Sequence, residues 1–256
     1  MIYISLVICF LISIFVGCSP NHNKTELTVS AASSLKDSLN EIKTNFEKEN
    51  PSITITYNFG SSGSLQHQIS QGAPVDVFIS ASKEPFNTLL HSNVVDQRYT
   101  SNLISNAIVL IASKTNNRTI SDLEELTKKD WRIAIGSPET VPAGSYSKEA
   151  LEKAGVWEQL KPTLIYTKDV RQVLTYVETG NVDFGFVYQT DAYISSKVEI
   201  IRTIEDTAHS PIIYPVGVIS STNHHDEAEI FYHYLSSETS LSIFKKYGFM
   251  IPVSSN

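Results

Sequence analysis

Four short stretches of this chain place small or hydroxyl-bearing residues where a strand runs into a helix, and each could hold an anion. They are Ala31-Ala32-Ser33-Ser34, Gly60-Ser61-Ser62-Gly63-Ser64, the run from Gly136 to Ser145 that contains Val141-Pro142-Ala143-Gly144, and Thr167-Lys168-Asp169. The start of a helix exposes N–H groups without intrahelical partners and carries partial positive charge, so it can bind an anion without Lys or Arg. Serine hydroxyls add donors that do not ionise. Donors of this kind suit a small, fully ionised oxyanion, which offers only acceptors, and a site without carboxylates avoids repelling it. Taken singly, each serine also reads as a helix cap, and the glycine-rich turn as a surface loop. Convergence of the turns on one place is what would set a binding role apart.

Other chemistries fit the residues poorly. His224 and His225 are adjacent, so they point apart on a helix or strand, and they lie in a loop-like Ser-Thr-Asn-His-His-Asp run, which is weak spacing for a metal site. Gly60-Ser61-Ser62-Gly63-Ser64 brings its second glycine one place too early for the Gly-x-Ser-x-Gly elbow of a hydrolase, and His67, on the helix after Ser62, is not set up as its base. No phosphate-binding Gly-x-x-x-x-Gly-Lys-Ser/Thr loop occurs.

The elements that must position these turns alternate. Leu27–Val29 reads as a strand, and Leu35, Leu39, Ile42 and Phe46 form one apolar helix face that ends near Asn50-Pro51. Ile53, Ile55 and Tyr57 alternate with Thr54 and Thr56 as in a strand. Leu65 and Ile69 share a helix side, Val75–Ile79 is a short apolar strand interrupted by Asp76, and residues 83–90 form a short helix. Asn106–Ala112 is a strong strand. Ser121-x-x-Glu124 reads as a capping box opening a helix. Arg132–Ile135 is a strand, followed by a helix stopped at Gly155, then a strand at Leu164–Tyr166 and a helix with Val170, Val173, Leu174 and Val177 on one face. Phe184–Tyr188 is a strand ending in a phenol, Ile212–Ile219 is a long apolar run, and two short helices close the chain. Apolar strands alternating with helices predict an α/β fold of parallel sheets covered on both faces. Crossings near Ala107–Ala112 and Ile213–Ile219 predict two lobes, 26–106 plus 217–256 and 107–216, with the turns beyond the carboxyl ends of the strands.

Over the 256 residues, 41% hydrophobic and 18% charged is an ordinary globular composition. The net charge of −7 gives no electrostatic reason to expect nucleic acid, and means that an anion would be held locally against the field of the whole molecule. Residues 1–17 form an uncharged apolar stretch, short for a spanning helix, that reads as a secretory signal. Val16-Gly17-Cys18 resembles a bacterial lipobox, with cleavage before Cys18 and a lipid on its thiol; the other reading is an uncleaved anchor. Either way the protein is expected to be exported and tethered, with 18–25 as lipidated cysteine and flexible leash. Only Cys9 and Cys18 are present, so the mature domain has neither a disulfide nor a thiolate metal site.

From Glu26 to Pro252 the sequence resembles the molybdate-binding proteins of ATP-binding-cassette importers. The resemblance is carried by Ala-Ala-Ser-Ser-Leu (31–35), Phe-Gly-Ser-Ser-Gly-Ser-Leu (59–65), Gly-Ala-Pro-Val-Asp-Val-Phe-Ile-Ser-Ala (72–81), Val-Pro-Ala-Gly-Ser-Tyr-Ser-Lys-Glu-Ala-Leu (141–151), Asp-Val-Arg (169–171), Phe-Val-Tyr-Gln-Thr-Asp-Ala (186–192), Tyr-Pro-Val (214–216) and Phe-Lys-Lys-Tyr-Gly-Phe (244–249). It implies a two-lobed flytrap, each lobe a mostly parallel sheet flanked by helices, closing on tetrahedral molybdate or tungstate. Carried over position by position, it implies that Ser34 and Ser62 each offer a hydroxyl and a backbone N–H, Ala143 and Val170 a backbone N–H, and Tyr188 its phenol. The metal would be held as its oxyanion, never as a bare cation. Ser33, where the family has Ala, and Gly63, in a serine-rich turn, depart from the pattern. The resemblance further implies a monomer that serves an ABC permease in the membrane and uses no cofactor. Alternatives are a binder of another solute such as sulfate, an interaction module on the same fold, and an exported hydrolase using Ser62. Arg171 reads as a structural partner within the second lobe rather than a guide for the anion.

Overall fold

The computed structural model describes residues 24–116 and 119–252. The signal segment, Cys18 and most of the leash lie outside these residues. The chain opens with strand β1 (Thr25–Ala32), a 3₁₀ turn at Ser33–Leu35, and helix α1 (Lys36–Glu49). Asn50 ends α1 by donating its side-chain amide to the Phe46 carbonyl at 3.1 Å, and Pro51 then bars continuation. Strand β2 (Ile53–Gly60), helix α2 (Ser62–Ser70), strand β3 (Val77–Ile79) and helix α3 (Lys83–His91) follow, and then the long strand β4 (Val95–Ser105). After β5 (Ile108–Ser113) come β6 (Ile133–Gly136), α4 (Pro142–Lys153), α5 (Trp157–Leu160), β7 (Ile165–Thr167), α6 (Val170–Glu178), β8 (Phe184–Tyr188), α7 (Gln189–Tyr193) and β9 (Val198–Thr203). Strand β10 (Ile213–Ile219) and helices α8 (His225–Leu235) and α9 (Glu238–Lys246) complete the chain.

Two five-stranded sheets form, in the orders β2-β1-β3-β10-β4 and β7-β6-β8-β5-β9. This is the two-lobed α/β architecture expected from the alternation. The strands β2, β1 and β3 run parallel, as do β7, β6 and β8. The remaining strand pairs are antiparallel, for a reason built into the topology. Strands whose carboxyl ends face the cleft point one way. A strand that enters a lobe from the cleft, as β5 and β10 do, must point the other.

The first crossing is the short link between β4 and β5. Strand β10 pairs with β3 and β4 from Ile213 onward, so the return crossing lies between β9 and Ile213. This is earlier than the 216/217 boundary read from sequence. Pro215 and Gly217 suggested a break there, but β10 absorbs them with shifts of register against β4 on either side. The capping box is also displaced. Asp122, not Ser121, caps the 3₁₀ helix Leu123–Thr127 by accepting the Glu125 N–H at 3.0 Å, because a carboxylate is the stronger acceptor.

Packing follows the period of two along β3. Val77 and Ile79 join the larger core with Leu39, Ile42 and Phe46 of α1 and Phe231 and Leu235 of α8. Phe78, between them, joins a separate cluster with Leu65 and Ile69 of α2 and Phe86 and Leu89 of α3. Each fully buried large side chain contributes about 1.5–3 kcal/mol. The turns at the carboxyl ends of β1, β6 and β8 are therefore held by strands buried on both sides, and those of β2 and β7 by edge strands paired to β1 and β6.

Candidate functional site

The first turn is not capped by its serines. The cap positions of the 3₁₀ turn and of α1 are Ala32 and Leu35, and neither makes a side-chain cap. The capping reading of Ser33 and Ser34 is thus corrected: in this turn the backbone tightens before the helix, and the hydroxyls are released from that duty. Ser34 Oγ instead lies 3.1 Å from the Tyr214 hydroxyl, and its carbonyl accepts from the Arg171 guanidinium at 3.2 Å.

The second turn allocates its donors completely. Ser61 caps α2, accepting the Ser64 N–H at 3.4 Å, and the Gly63 N–H crosses to the Thr140 carbonyl of the other lobe at 2.9 Å. Of the first three N–H groups of the helix, that leaves Ser62. Its hydroxyl oxygen accepts the Ala81 N–H at 2.8 Å, so its own proton is free to point elsewhere.

The second lobe supplies two more helix starts. Pro142 occupies the first position of α4 and has no N–H, which makes Ala143 the first donor of that helix. Asp169 caps α6 through the Gln172 N–H at 2.9 Å, leaving Val170 at the first helical position. Tyr188 ends β8 at the cap position of α7, where its N–H donates to the Asp191 carboxylate at 3.3 Å. Its hydroxyl donates to the Ala81 carbonyl across the cleft at 3.4 Å. Burial pushes the phenol well above its usual range, so Tyr188 remains a neutral donor at any physiological pH.

Ser34, Ser62, Ala143, Val170 and Tyr188 are all buried and line one small cavity, beside Ser33 and Ser61. Among the described residues, no Asp, Glu, Lys or Arg side chain lines it. Its volume is about 10 Å³, near the least that holds one water, so the lobes are drawn together over it. A wider space of about 570 Å³ lies at the cleft mouth, but Glu84, Glu139 and Glu149 line it against the cation Lys83, and this excess of carboxylates disfavours an anion there. His67 is exposed, so it is not set as a base against Ser62. No group of three or more His, Cys, Asp and Glu side chains among the described residues could hold a bare metal ion.

Arg171 does pair within its own lobe, with the carboxylate of Asp191 at 2.7 Å. It also crosses the cleft to Asp37 at 2.6 Å and to the Ser34 carbonyl. Asp191 is fully buried, and burial pushes its carboxyl up to about 6 despite the opposing pull of Arg171 and the Tyr188 N–H. The guanidinium is thus committed to two carboxylates and a carbonyl. Sequence reasoning missed Asp37, Asp191, Asn106 and the role of Tyr214, because their partners lie 108–180 residues apart in some of these contacts.

Gly63 answers to the close approach of the lobes. A Cβ at this position would stand 2.8 Å from both Cα and O of Thr140, atoms that cannot rotate away. Gly63→Ala is expected to hold the lobes apart, because overpacking of about 1–3 kcal/mol is relieved by opening. Small-angle scattering should show a larger radius of gyration. The melting temperature should be held, since Ala favours the helix by up to about 1 kcal/mol. An unchanged radius would mean that the clasp is not needed for closure.

Residues 27–250 match the model of the family described as bacterial extracellular solute-binding protein. The chain is 45% identical over 254 residues to YvgL of Bacillus subtilis strain 168, provisionally named an ABC transporter substrate-binding lipoprotein, covering 97% of this chain and 96% of that one. It is 36% identical over 233 residues to the molybdate-binding protein ModA of Escherichia coli K12, covering 88% and 89%. The periplasmic molybdate-binding protein of Azotobacter vinelandii superposes with a TM-score of 0.79 at 22% identity, over 89% of this chain and all of that one, which shows a shared fold.

Proposed function

Since the chain belongs to the bacterial extracellular solute-binding protein family, we propose that it captures molybdate, and tungstate with it, between its two lobes and passes the anion to an ABC permease. Proteins of this family are solute-binding transport proteins and not enzymes, and the bound anion is cargo, not a cofactor. The observation that carries the choice of ligand is the cavity lined without a charged side chain and bordered by Ser34 and Ser62 of one lobe and Ala143, Val170 and Tyr188 of the other. An anion touching both sides favours the closed form by its differential affinity for that form. A ligand that kept a proton at neutral pH, such as phosphate, finds no carboxylate there to accept it.

The same reading assigns residues 26–106 with 213–252 to the first lobe and 107–212 to the second. Residues 1–17 serve as the export signal, and the Cys18 thiol carries the lipid that tethers a monomer to the outer face of the cell membrane. The lipoprotein name of YvgL, which matches 97% of this chain, supports that tether.

Calorimetric titration of the chain from Ser19 onward with molybdate, tungstate, sulfate and phosphate tests the proposal. Binding of the first two alone is expected. Binding of sulfate in their place would keep the trap and remove the metal oxyanion. In the same assay Ser62→Ala should weaken molybdate by about 1.5–3 kcal/mol, the value of a hydrogen bond to a charged group. Undiminished affinity would take Ser62 out of the site.

A further inference from the structure

The two candidate serines share a feature that their neighbours impose: each hydroxyl oxygen meets a donor from behind. For Ser62 the donor is the Ala81 N–H, 2.8 Å away, which has no choice of direction. For Ser34 the neighbour is another hydroxyl, that of Tyr214, and either oxygen could donate. The ambiguity is resolved one step further back. Asn106 accepts the Ala107 N–H on Oδ1 at 2.9 Å, which fixes the orientation of its side-chain amide. Its Nδ2 then faces Thr190 Oγ1 at 2.9 Å and the Tyr214 oxygen at 3.2 Å. An amide nitrogen can only donate, so the Tyr214 oxygen accepts from Asn106. The single proton of Tyr214 is left for its other close partner, Ser34 Oγ. Ser34 therefore accepts from Tyr214, and its own proton is directed away, toward the cavity.

We propose that Asn106 and Tyr214 are positioning residues that act as a hydrogen-bond relay and hold Ser34 as an obligatory donor to the bound oxyanion. The relay rests on the oxyanion reading of the site. It begins at the link between the lobes, since Asn106 sits between β4 and β5, and it uses a residue of β10, the strand that follows the return crossing. Both members are buried, Tyr214 at 0% and Asn106 at 5% exposure, so water does not compete for their protons. Tyr214 is also held neutral, because burial pushes its phenol far above its usual range. Ser34 and Ser62 are thus set in the same sense, one by a side-chain relay and the other by a backbone amide. Two hydroxyls aimed in this way favour an anion that presents only acceptors.

A double-mutant cycle on molybdate binding separates the relay from a structural role. Tyr214→Phe alone is expected to weaken binding about tenfold, one hydrogen bond's worth, because Ser34 is released to turn its proton elsewhere. Ser34→Ala alone should weaken it at least as much. Combined, the two should lose no more than Ser34→Ala does, because on the relay the Tyr214 proton reaches the anion through that hydroxyl and not through Tyr188, whose ring Tyr214 also touches. Losses that add, in variants with wild-type melting temperatures, would overturn the relay while leaving the oxyanion site intact. A wild-type protein that bound no molybdate would instead overturn the reading beneath it. If Tyr214→Phe does not fold, Asn106→Ala removes the same polarity from the far end, and the same non-additivity with Ser34→Ala is expected.

Discussion

Replacing Arg171 with alanine is expected to cost about 3 kcal/mol of stability at neutral pH, the lower end of what removing one partner of a buried ion pair costs, and much of the loss should return in acid. The reason is Asp191, which is fully buried and loses the guanidinium that pairs with it. Already in the native protein its carboxyl is pushed up to about 6, so the folded form holds the proton more tightly than the unfolded chain, where an aspartate titrates near 4. The stability that comes with the protonated form is complete below about pH 4 and is lost as pH rises through about 6. Without Arg171 the folded carboxyl holds its proton to still higher pH, and that loss extends further into the neutral range. Urea unfolding at neutral pH and near pH 4.5 measures the difference. A deficit of equal size at both would sink the assignment to Asp191. Arg171 also bridges to Asp37 and the Ser34 carbonyl, so the variant should favour the open form and bind its ligand more weakly even where it folds.

Gly144→Ala is expected to be the most damaging of the small substitutions, at about 3 kcal/mol or more, the upper range for overpacking. A Cβ there would stand 1.9 Å from the Gly136 carbonyl oxygen and 2.5 Å from its carbon. Both are backbone atoms of β6, so no rotamer relieves the clash, and α4 must move off the sheet. Ala143 precedes Gly144 on the first turn of that helix, so the movement displaces the N–H assigned to the anion. Thermal unfolding should show the loss, and titration of any folded fraction should show oxyanion affinity lower by tenfold or more. Wild-type stability in this variant would mean that helix and strand do not pack as closely as the structure places them.

The parts of the fold that were legible in the sequence are those decided by local pattern. Leu35, Leu39, Ile42 and Phe46 at helical spacing, and the apolar runs Val77–Ile79, Ile108–Ala112 and Phe184–Tyr188, are read from neighbouring residues because burial on both faces leaves a continuous apolar signal. Strand β4 escaped notice for the converse reason. Its residues Asp96, Gln97 and Arg98 are polar, and it lies at the sheet edge beside β10, so no run of apolar residues marks it. Strand β9, at the edge of the other sheet, was missed likewise.

The candidate site divides along the same line. That Ser34, Ser62, Ala143, Val170 and Tyr188 stand at strand ends or helix starts, and that none carries a formal charge, was determined by the sequence itself, because turn chemistry and residue type are local properties. Their assembly in one cavity was decided only by the tertiary structure, since two sheets separated by a double crossing must close on each other before residues 154 positions apart can face one another. The direction of each hydroxyl proton was decided there too. A serine can donate or accept, and the choice at Ser34 depends on Tyr214, which meets it across 180 residues, and on Asn106, which meets Tyr214 across 108. The partners of Arg171 were decided there as well: the sequence reads it as a structural partner within its own lobe, and the folded chain gives it Asp191 there and Asp37 across the cleft.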